Sequence, residues 1–478
     1  MATRRQFVKN GLLSTAGILV ATEGIGAFGI GAQPKVIVIG AGFSGLAAAY
    51  QLKKRGIDVV VLEARNRVGG RVWTDQLPDG TYIDRGAQWV GPGQDKLYAL
   101  ARDTGVDTFP THDQGKSLLC LDGKKKPYKG LIPPLPLPAL LSLDRAIKRM
   151  NRWSATIDPA APWAHPRAAE WDRLTLGEWM HKTMGSAKAR QLFGIAAEAI
   201  FAANPDEVSL LFSLFYTRSG TDFDTLMNIR GGAQQDRFLG GADKPARILA
   251  NRLGPSIRLE HAIHSVVQDA DGVTASGPGF QLRARALIMA IPPVQAGKIH
   301  FAPGLPVMRT QLLQRMPMGC VWKCYAVYPS PFWREKGLNG LTATNFGYSS
   351  LVFDNSPADG SRGILMGFVL ADKARAFADL DEAKRRLAIL DAFVHFYGDE
   401  AAMPLFYTDQ CWATETWSGG CYTGIMGPHT LSQFGPALRQ PCGRIHWAGT
   451  ETAEIWNGYI EGAIRSGERA AAEVLHYG

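Results

Sequence analysis

Apolar runs alternate with a glycine-rich turn near the start of the chain. Lys35 to Ile39 reads KVIVI, a β-branched run of the kind that forms a buried parallel strand. The turn GAGFSG (residues 40–45) follows and opens a stretch of helical character to about Arg55. A second apolar run, Asp58 to Leu62, ends at Glu63. The pattern predicts a βαβ unit whose glycines lie between strand and helix.

The pattern then changes from helices to strands. A proline-rich stretch at residues 131–138 predicts a linker or a surface excursion. Helical patterns dominate residues 140–219, and strand character returns over residues 258–291. Strands and a helix are predicted for residues 320–420. The tail holds a strand and a final helix, Ile460 to Leu475.

Composition narrows the classes of protein. The 478 residues are 46% hydrophobic and 20% charged, as in an ordinary globular protein with a large core. The formal net charge is +9, but no Lys/Arg block is interleaved with aromatic residues, so nucleic-acid binding is not predicted. The six cysteines form no CxxC pair, and we predict neither a metal site nor a disulfide framework.

The first residues resemble an export signal. Arg4 and Arg5 precede Phe7 and Lys9, and a weakly apolar run of about a dozen residues follows. That run is shorter than the ~20 residues needed to span a bilayer. We therefore predict a twin-arginine (Tat) signal over residues 1–34 and a periplasmic or secreted protein without a stable membrane anchor.

The glycine turn predicts a dinucleotide site because of its position after a strand and before a helix. Gly40 permits the tight turn, and Gly42 lets the main chain approach a pyrophosphate at the helix N-terminus. Gly45 allows close packing of helix and strand. Glu63 is placed to accept hydrogen bonds from a ribose.

The residues after Glu63 favour FAD over NAD. They read ARNRVGGR (residues 64–71), and glycines flanked by arginines suit a second approach to pyrophosphate. With GAQW (86–89), AIPP (290–293), VWKC (321–324), WSGGCYT (417–423) and GTETA (449–453), the whole mature chain resembles the flavin amine oxidases, and most of all the monoamine oxidases.

The fold class expected is α/β of mixed α+β type. It comprises a Rossmann-like FAD-binding domain built from discontinuous segments and an inserted substrate domain of sheet plus helices. The FAD-binding domain is predicted at residues 35–115, 230–300 and 420–478. The substrate domain, with its helical insert, is predicted at residues 116–229 and 301–419.

The resemblance implies a set of flavin contacts spread along the chain. The predicted cofactor-binding residues are Gly40, Gly42, Gly45, Glu63, Arg65, Gly69, Gly70, Arg71, Gly86, Ala87, Gln88, Trp89, Ile263, Trp412, Cys421, Gly449, Thr450, Glu451, Tyr459 and Ile460. The N-terminus of the final helix would lie at the flavin pyrimidine edge, where its partial positive charge stabilises the reduced cofactor.

Three residues are predicted to be catalytic, and one to carry the cofactor. By resemblance, Cys421 bonds the flavin through a thioether; a buried cysteine beside non-covalent FAD is the alternative. Tyr422 and Tyr459 match the family's aromatic cage, although core packing would also explain a buried tyrosine. Lys323 matches a lysine that reaches the flavin through a water and promotes reaction with oxygen, unless it points outward from an edge strand.

The resemblance also indicates a substrate pocket. Met227, Gln234, Leu351 and Phe368 are expected to line it, although each could be ordinary core. Met227 and Leu351 differ from the mammalian members, so specificity does not carry over.

The function predicted is FAD-dependent oxidative deamination of a primary monoamine by O2 to an aldehyde, ammonia and hydrogen peroxide. An L-amino-acid oxidase would need a carboxylate-binding arginine, for which Arg218 and Arg230 are candidates. A polyamine oxidase on the same fold, or a flavin-binding protein without turnover, would carry the same cofactor motifs. The partners expected are a small-molecule amine and O2, with a homodimer left open.

Overall fold

A parallel five-stranded sheet lies at the centre of the dinucleotide-binding part. The computed structural model describes residues 34–130 and 133–476, so the predicted export signal lies outside the described residues except for Pro34. Val36–Ile39 is the middle strand, and it pairs in parallel with Val59–Leu62 on one side and Ala286–Met289 on the other. All three strands are buried apolar runs, as expected for strands covered on both faces. The predicted βαβ unit is confirmed.

The strands of the described residues, in chain order, are β1 Val36–Ile39, β2 Val59–Leu62, β3 Thr74–Gln76, β4 Tyr82–Asp84, β5 Trp89–Val90, β6 Thr108–Pro110, β7 Lys116–Leu121, β8 Lys124–Tyr128, β9 Asp236–Phe238, β10 Ile257–Arg258, β11 Ser265–Gln268, β12 Val273–Gly277, β13 Phe280–Ala284, β14 Ala286–Met289, β15 His300–Ala302, β16 Val321–Tyr328, β17 Leu338–Thr344, β18 Leu351–Asp354, β19 Gly363–Leu370, β20 Phe406–Cys411 and β21 Ile445–Trp447.

The α-helices are α1 Phe43–Lys54, α2 Asp95–Asp103, α3 Leu137–Ser154, α4 Ala168–Trp171, α5 Leu176–Thr183, α6 Ala187–Phe201, α7 Leu210–Ser219, α8 Phe223–Met227, α9 Lys244–Leu253, α10 Pro293–Ala296, α11 Val307–Gln314, α12 Phe332–Glu335, α13 Ala371–Ala378, α14 Glu382–Tyr397, α15 Leu431–Phe434 and α16 Ile460–His476. In the described part of the chain, no helix is long and apolar enough to cross a bilayer.

The two ends of the described chain meet on the five-stranded sheet. Helices α1 and α16 pack closely because Gly467 has no side chain; a Cβ there would lie 2.0 Å from the Ser44 carbonyl oxygen. The hydroxyls of Ser44 and Ser466 are 3.0 Å apart and buried. The Gly449 N–H donates to Ser44 Oγ at 2.8 Å. The C-terminal segment is thereby held beside the glycine turn.

A seven-stranded sheet forms the second layer, in the order β20-β16-β19-β18-β17-β7-β8. Its pairs are antiparallel except for β17 with β7. Strand β16, which carries Lys323, lies between β19 and β20 and is buried throughout. The interpretation of Lys323 as an outward-pointing edge lysine is therefore wrong.

A helical layer covers residues 137–219. Helices α3, α6 and α7 pack around an aromatic core that includes Trp171, Phe193 and Tyr216. The linker prediction for residues 131–138 needs correction, since Leu137 and Pro138 begin helix α3 and residues 131–132 lie outside the described part. Proline is tolerated there because the first N–H groups of a helix have no intrahelical partner.

The mixed α/β fold is as predicted. The five-stranded sheet draws its strands only from residues 35–115, 230–300 and 420–478, and the seven-stranded sheet only from residues 116–229 and 301–419. The domain boundaries themselves stay a prediction.

Candidate active site

The first glycine turn combines a bend with a close contact. Gly40 has φ +101°, and a Cβ there would lie 2.7 Å from the Ala290 carbonyl oxygen. At Gly45 a Cβ would lie 1.9 Å from the Gly40 carbonyl oxygen. Gly45 therefore serves helix–strand packing and does not itself line the cavity described below. Helix α1 begins after Gly42 without a side-chain cap, which leaves its first N–H groups available to an anion.

The second glycine pair runs along the first turn. Gly69 and Gly70 both have positive φ, and the Gly69 N–H donates to the Ala41 carbonyl at 2.9 Å. A Cβ on Gly42 would meet only the Gly70 Cα, at 3.9 Å. The main chain at Gly42 is thus open to a ligand, as the dinucleotide prediction requires.

Glu63 ends β2 and is buried facing the same cavity. Its carboxylate accepts the Ala41 N–H at 2.7 Å and the Arg65 N–H at 3.0 Å. These bonds orient the carboxylate, and its remaining lone pairs suit the ribose hydroxyls predicted from the sequence.

The two arginines predicted to contact the cofactor line the cavity and are also paired within the protein. Arg65 binds the carboxylate of Glu415 with two N–H groups and donates to Ser418 Oγ at 2.8 Å. Arg71 makes a two-pronged ion pair with Glu451, at 2.6 and 3.0 Å. Carboxylates thus hold both guanidinium groups in place, and their contacts with the cofactor stay a prediction.

The Arg71–Glu451 pair joins the glycine loop to the C-terminal segment. Arg71 also donates to the Tyr422 carbonyl at 2.7 Å, and Glu451 accepts the Gly424 N–H at 3.2 Å. Burial opposes ionisation of Glu451, but Arg71 outweighs it and holds the pKa of that carboxyl below its usual range. Glu451 does not line the cavity, so its position is that of a support rather than a cofactor contact.

One cavity of about 480 Å³ connects the glycine turns with the predicted catalytic residues. Among the predicted residues, its wall contains Gly40, Gly42, Glu63, Arg65, Gly69, Gly70, Arg71, Gly86, Ala87, Gln88, Trp89, Met227, Gln234, Ile263, Lys323, Leu351, Phe368, Trp412, Cys421, Tyr422, Gly449, Thr450, Tyr459 and Ile460. The residues come from both sheets and from α16.

Lys323 is buried in this wall and fully hydrogen-bonded. Its Nζ donates to the carbonyls of Asp84 at 2.7 Å and Gly86 at 2.8 Å, and to Gln88 Oε1 at 2.7 Å. Burial lowers the pKa of Lys323 to about 7, because the charged form loses hydration. The Lys323 side chain therefore changes protonation near neutral pH.

Tyr422 and Tyr459 both reach the cavity from the C-terminal third. Tyr422 packs edge-on against Phe368 with ring centroids 6.2 Å apart, and Tyr459 packs against Trp456 at 4.9 Å. Burial raises the pKa of both tyrosines, so each presents a neutral phenol.

Cys421 precedes Tyr422 through a cis peptide bond and is 6% exposed in the cavity wall. Burial raises the pKa of its thiol to about 12, although Arg71 and Lys323 act in the opposite direction. A free thiolate at Cys421 is thus disfavoured in the protein alone. Trp412 lies in the same wall and donates its indole N–H to the Arg85 carbonyl at 2.8 Å.

The four residues predicted for the substrate pocket also line the cavity. Gln234 donates from Nε2 to the Leu226 carbonyl at 3.0 Å, and its Oε1 has no hydrogen-bond partner among the described residues. This end of the cavity is otherwise apolar and aromatic.

Sequence reasoning did not assign to the site several aromatic residues of the cavity wall, among them Tyr216 and Phe353. Burial raises the pKa of Tyr216, and the neighbouring Tyr459 raises it further. Phe353 lies two residues after Leu351 on β18, so the period of two in a strand would have found it. Tyr216 lies on α7, which is buried almost all round, and no local pattern distinguishes it.

The two arginines considered for a carboxylate-binding role do not reach the cavity. Arg230 is 76% exposed and pairs with Asp113. Arg218 is exposed near the end of α7. Neither is placed to bind an amino-acid carboxylate in the cavity.

Known proteins share this arrangement. The family model for flavin containing amine oxidoreductases matches residues 43–475. The chain belongs to this family. A Dictyostelium discoideum protein named "Probable flavin-containing monoamine oxidase A" is 38% identical over 442 residues, which cover 92% of this chain and 97% of that protein.

Solved structures of the family superimpose on the whole fold. Putrescine oxidase bound to putrescine matches with a TM-score of 0.90 and 32% identity, covering 93% of this chain and 99% of that one. Cyclohexylamine oxidase from Brevibacterium oxydans IH-35A matches with a TM-score of 0.89 and 33% identity over the same shares. The chain is accordingly an FAD-dependent amine oxidase, and the open main chain at Gly42, the uncapped α1 and the oriented Glu63 fit that cofactor.

Proposed function

We propose that this amine oxidase deaminates primary monoamines with an apolar body. The reaction is RCH2NH2 + O2 + H2O → RCHO + NH3 + H2O2. The observation that carries the proposal is the chemistry of the cavity wall: in the described part of the chain, Glu63 is its only carboxylate, and it lies at the dinucleotide end.

The tyrosine end of the cavity selects the neutral amine. An ammonium ion would lose its free energy of hydration there without gaining a carboxylate partner. A neutral amine has much less free energy of hydration to lose. The rings of Tyr422 and Tyr459 confine the amine, and Lys323 supplies positive charge beside the reaction site. FAD, when bound, supplies the acceptor for the hydride equivalent and passes the electrons to O2.

The same chemistry argues against two other substrate classes. A diamine such as putrescine needs an acceptor for its second ammonium, and the apolar end offers Gln234 Oε1 but no carboxylate. An amino acid needs a cation for its carboxylate, and Arg218 and Arg230 lie outside this wall. Putrescine oxidase and cyclohexylamine oxidase resemble the chain almost equally, so the cavity wall is the better guide.

Peroxide release tests the proposal. The purified protein is supplied in turn with benzylamine, tyramine, putrescine and free L-amino acids, and peroxide is measured with a peroxidase-coupled dye. We expect turnover of the monoamines at more than about tenfold the kcat/KM of putrescine, since an uncompensated buried charge costs more than about 1.4 kcal/mol. Preference for putrescine or for amino acids would overturn the monoamine assignment.

We also propose covalent attachment of FAD through Cys421. Support comes from the position of the thiol in the cavity wall, which Arg71 and the adjoining Tyr422 also line. After acid precipitation the yellow colour is expected in the pellet, and Cys421→Ser should release it to the supernatant while retaining some FAD before denaturation. Wild-type colour in the supernatant would refute the linkage.

Export by the twin-arginine pathway is proposed from the sequence alone. Replacing Arg4 and Arg5 by lysines should leave the protein in the cytoplasm of an expressing bacterium. Equal periplasmic activity of the wild type and this variant would contradict the proposal. The homodimer stays a prediction.

A further inference from the structure

The ammonium of Lys323 donates hydrogen bonds to three acceptors, two in the main chain and one in a side chain. Two are main-chain carbonyls, of Asp84 and Gly86, whose positions follow the backbone after β4. The third is the side-chain oxygen of Gln88, at 2.7 Å. A charged lysine has three N–H donors and no lone pair, so the protein occupies all of them. Gln88 is the acceptor that a single side-chain substitution removes.

The orientation of the Gln88 amide is set by a second buried side chain. Gln88 Nε2 donates to Asn355 Oδ1 at 2.7 Å, and both residues are at most 1% exposed. A reversed Gln88 amide would place its NH2 group against the ammonium and its oxygen against Asn355 Oδ1. The donor-only ammonium of Lys323 requires an oxygen on its side, and Asn355 complements this orientation by accepting the Gln88 NH2 group.

The buried surroundings of Lys323 make its hydrogen bond to Gln88 important for the charge of the lysine. Burial is the largest influence on Lys323 and disfavours its charged form, as does Arg237, whereas Asp84 favours it. The rings of Tyr325 and Phe368 lie 5.4 and 5.5 Å from Nζ. Because burial removes the hydration of the ammonium, the acceptors that replace the water, the Gln88 oxygen among them, stabilise the charged form.

We propose that Gln88, oriented by Asn355, is a positioning residue that keeps the Lys323 ammonium charged and fixed in the cavity wall while oxygen reacts. The inference rests on the proposed role of Lys323 in the oxidase reaction. It differs from the contact predicted for Gln88 by resemblance, which was with the cofactor itself.

Two substitutions with opposite expected effects test it. Gln88→Met removes the acceptor at similar volume, and Gln88→Glu replaces it with a charged one. The first readout is the protonation midpoint of Lys323, followed by NMR in protein labelled with 13C at lysine Cε and assigned by the signal missing in Lys323→Met. Gln88→Met should lower the midpoint by about one pH unit, and Gln88→Glu should raise it by about one.

The second readout is the rate at which dithionite-reduced enzyme is reoxidised by oxygen, measured against pH. The reoxidation rate is expected to fall as pH rises through the Lys323 midpoint. The pH at which it falls should therefore be lower in Gln88→Met and higher in Gln88→Glu than in the wild type. Asn355→Leu should move it in the direction of Gln88→Met, but less. Gln51→Met, on α1 and outside the cavity wall, is the matched control and should leave the profile unchanged.

The outcomes separate the inference from the proposed function. Shifts of the same sign in both Gln88 variants, or unmoved midpoints in both, would overturn the role of Gln88. An unmoved midpoint in Asn355→Leu would overturn the orienting role of Asn355. Because dithionite reduces the enzyme without an amine, these results are obtained even if no amine proves to be a substrate, which would overturn the proposed function alone.

Discussion

The two ends of the cavity are built in different ways. At the dinucleotide end, glycines supply much of the wall together with their sequence neighbours, and residues 40, 42–44, 62–65 and 69–72 contribute within about thirty positions. At the tyrosine end the wall consists of side chains from α6, α7, β16, β18 and β19 and from the segments around residues 421 and 459. The first end depends on local conformation, the second on how distant segments pack.

This difference indicates which changes each end tolerates. A main-chain cradle fails when a Cβ is added where backbone lies within contact distance, as at Gly40 and Gly45, because backbone cannot move aside. A side-chain wall accepts substitutions of similar volume and changes specificity before stability. Four substitutions test this contrast.

The largest loss of stability is expected at the Arg71–Glu451 ion pair, which joins the glycine loop to the C-terminal segment. Glu451→Leu leaves the half-buried Arg71 without its buried carboxylate partner, which should cost about 4 kcal/mol of unfolding free energy. Urea unfolding measures it. Glu415→Leu is the milder control, because Glu415 is more exposed than Glu451 and Arg65 keeps Glu63 as a second carboxylate partner. The pKa of Glu451 is lowered in the fold, so its contribution is present above the unfolded pKa of about 4.3 and is lost as pH falls through the folded value. Wild type and variant should converge in acid; a constant difference would contradict this account.

The main-chain cradle is tested by Gly45→Ala. Helix propensity alone predicts a gain of roughly 0.5–1 kcal/mol for alanine in a helix. The added Cβ would lie 1.9 Å from the Gly40 carbonyl, so we expect instead a loss of about 3 kcal/mol and of most bound flavin. Thermal unfolding and the flavin-to-protein absorbance ratio report both effects. Gly185→Ala, where the space is open, should change neither.

Lys323→Met tests the charge at the tyrosine end. Loss of the cation should slow reoxidation by oxygen about 100-fold, in the range seen for removing one electrostatic stabiliser, and slow flavin reduction much less. In the wild type the reoxidation rate should decline as pH rises through about 7, because the cation is lost above that pKa. Stopped-flow measurement of both half-reactions decides the question, and equal slowing of the two would argue against the role.

The smallest effect is expected from Tyr216→Phe. Removing this hydroxyl takes away its hydrogen bond with the side chain of Tyr459. The packing of the two rings, whose centroids are 6.0 Å apart, stays in place. One neutral hydrogen bond is worth about 1 kcal/mol, so kcat/KM should fall about fivefold at unchanged flavin content. Steady-state kinetics with a monoamine measures it. No change would make Tyr216 a packing residue only.

Sequence reasoning succeeded at the dinucleotide end for a physical reason. A positive φ at Gly40 and a close contact at Gly45 both require glycine, and that requirement is visible in the residues themselves. The same reasoning did not predict the carboxylate partners of Arg65 and Arg71, which lie some 350 to 380 positions away along the chain. It also missed Tyr216, whose helix is apolar on nearly every face.

The sequence by itself determined the βαβ unit and the glycine turns, because strand patterns and glycine conformations are local. Only the tertiary structure decided that Lys323 is buried and held by Gln88, that the arginines pair with Glu415 and Glu451, and that no carboxylate among the described residues lines the tyrosine end. Those facts depend on which distant side chains meet and on how much water their contact excludes. Burial and pairing, rather than residue identity, set the charge of the site.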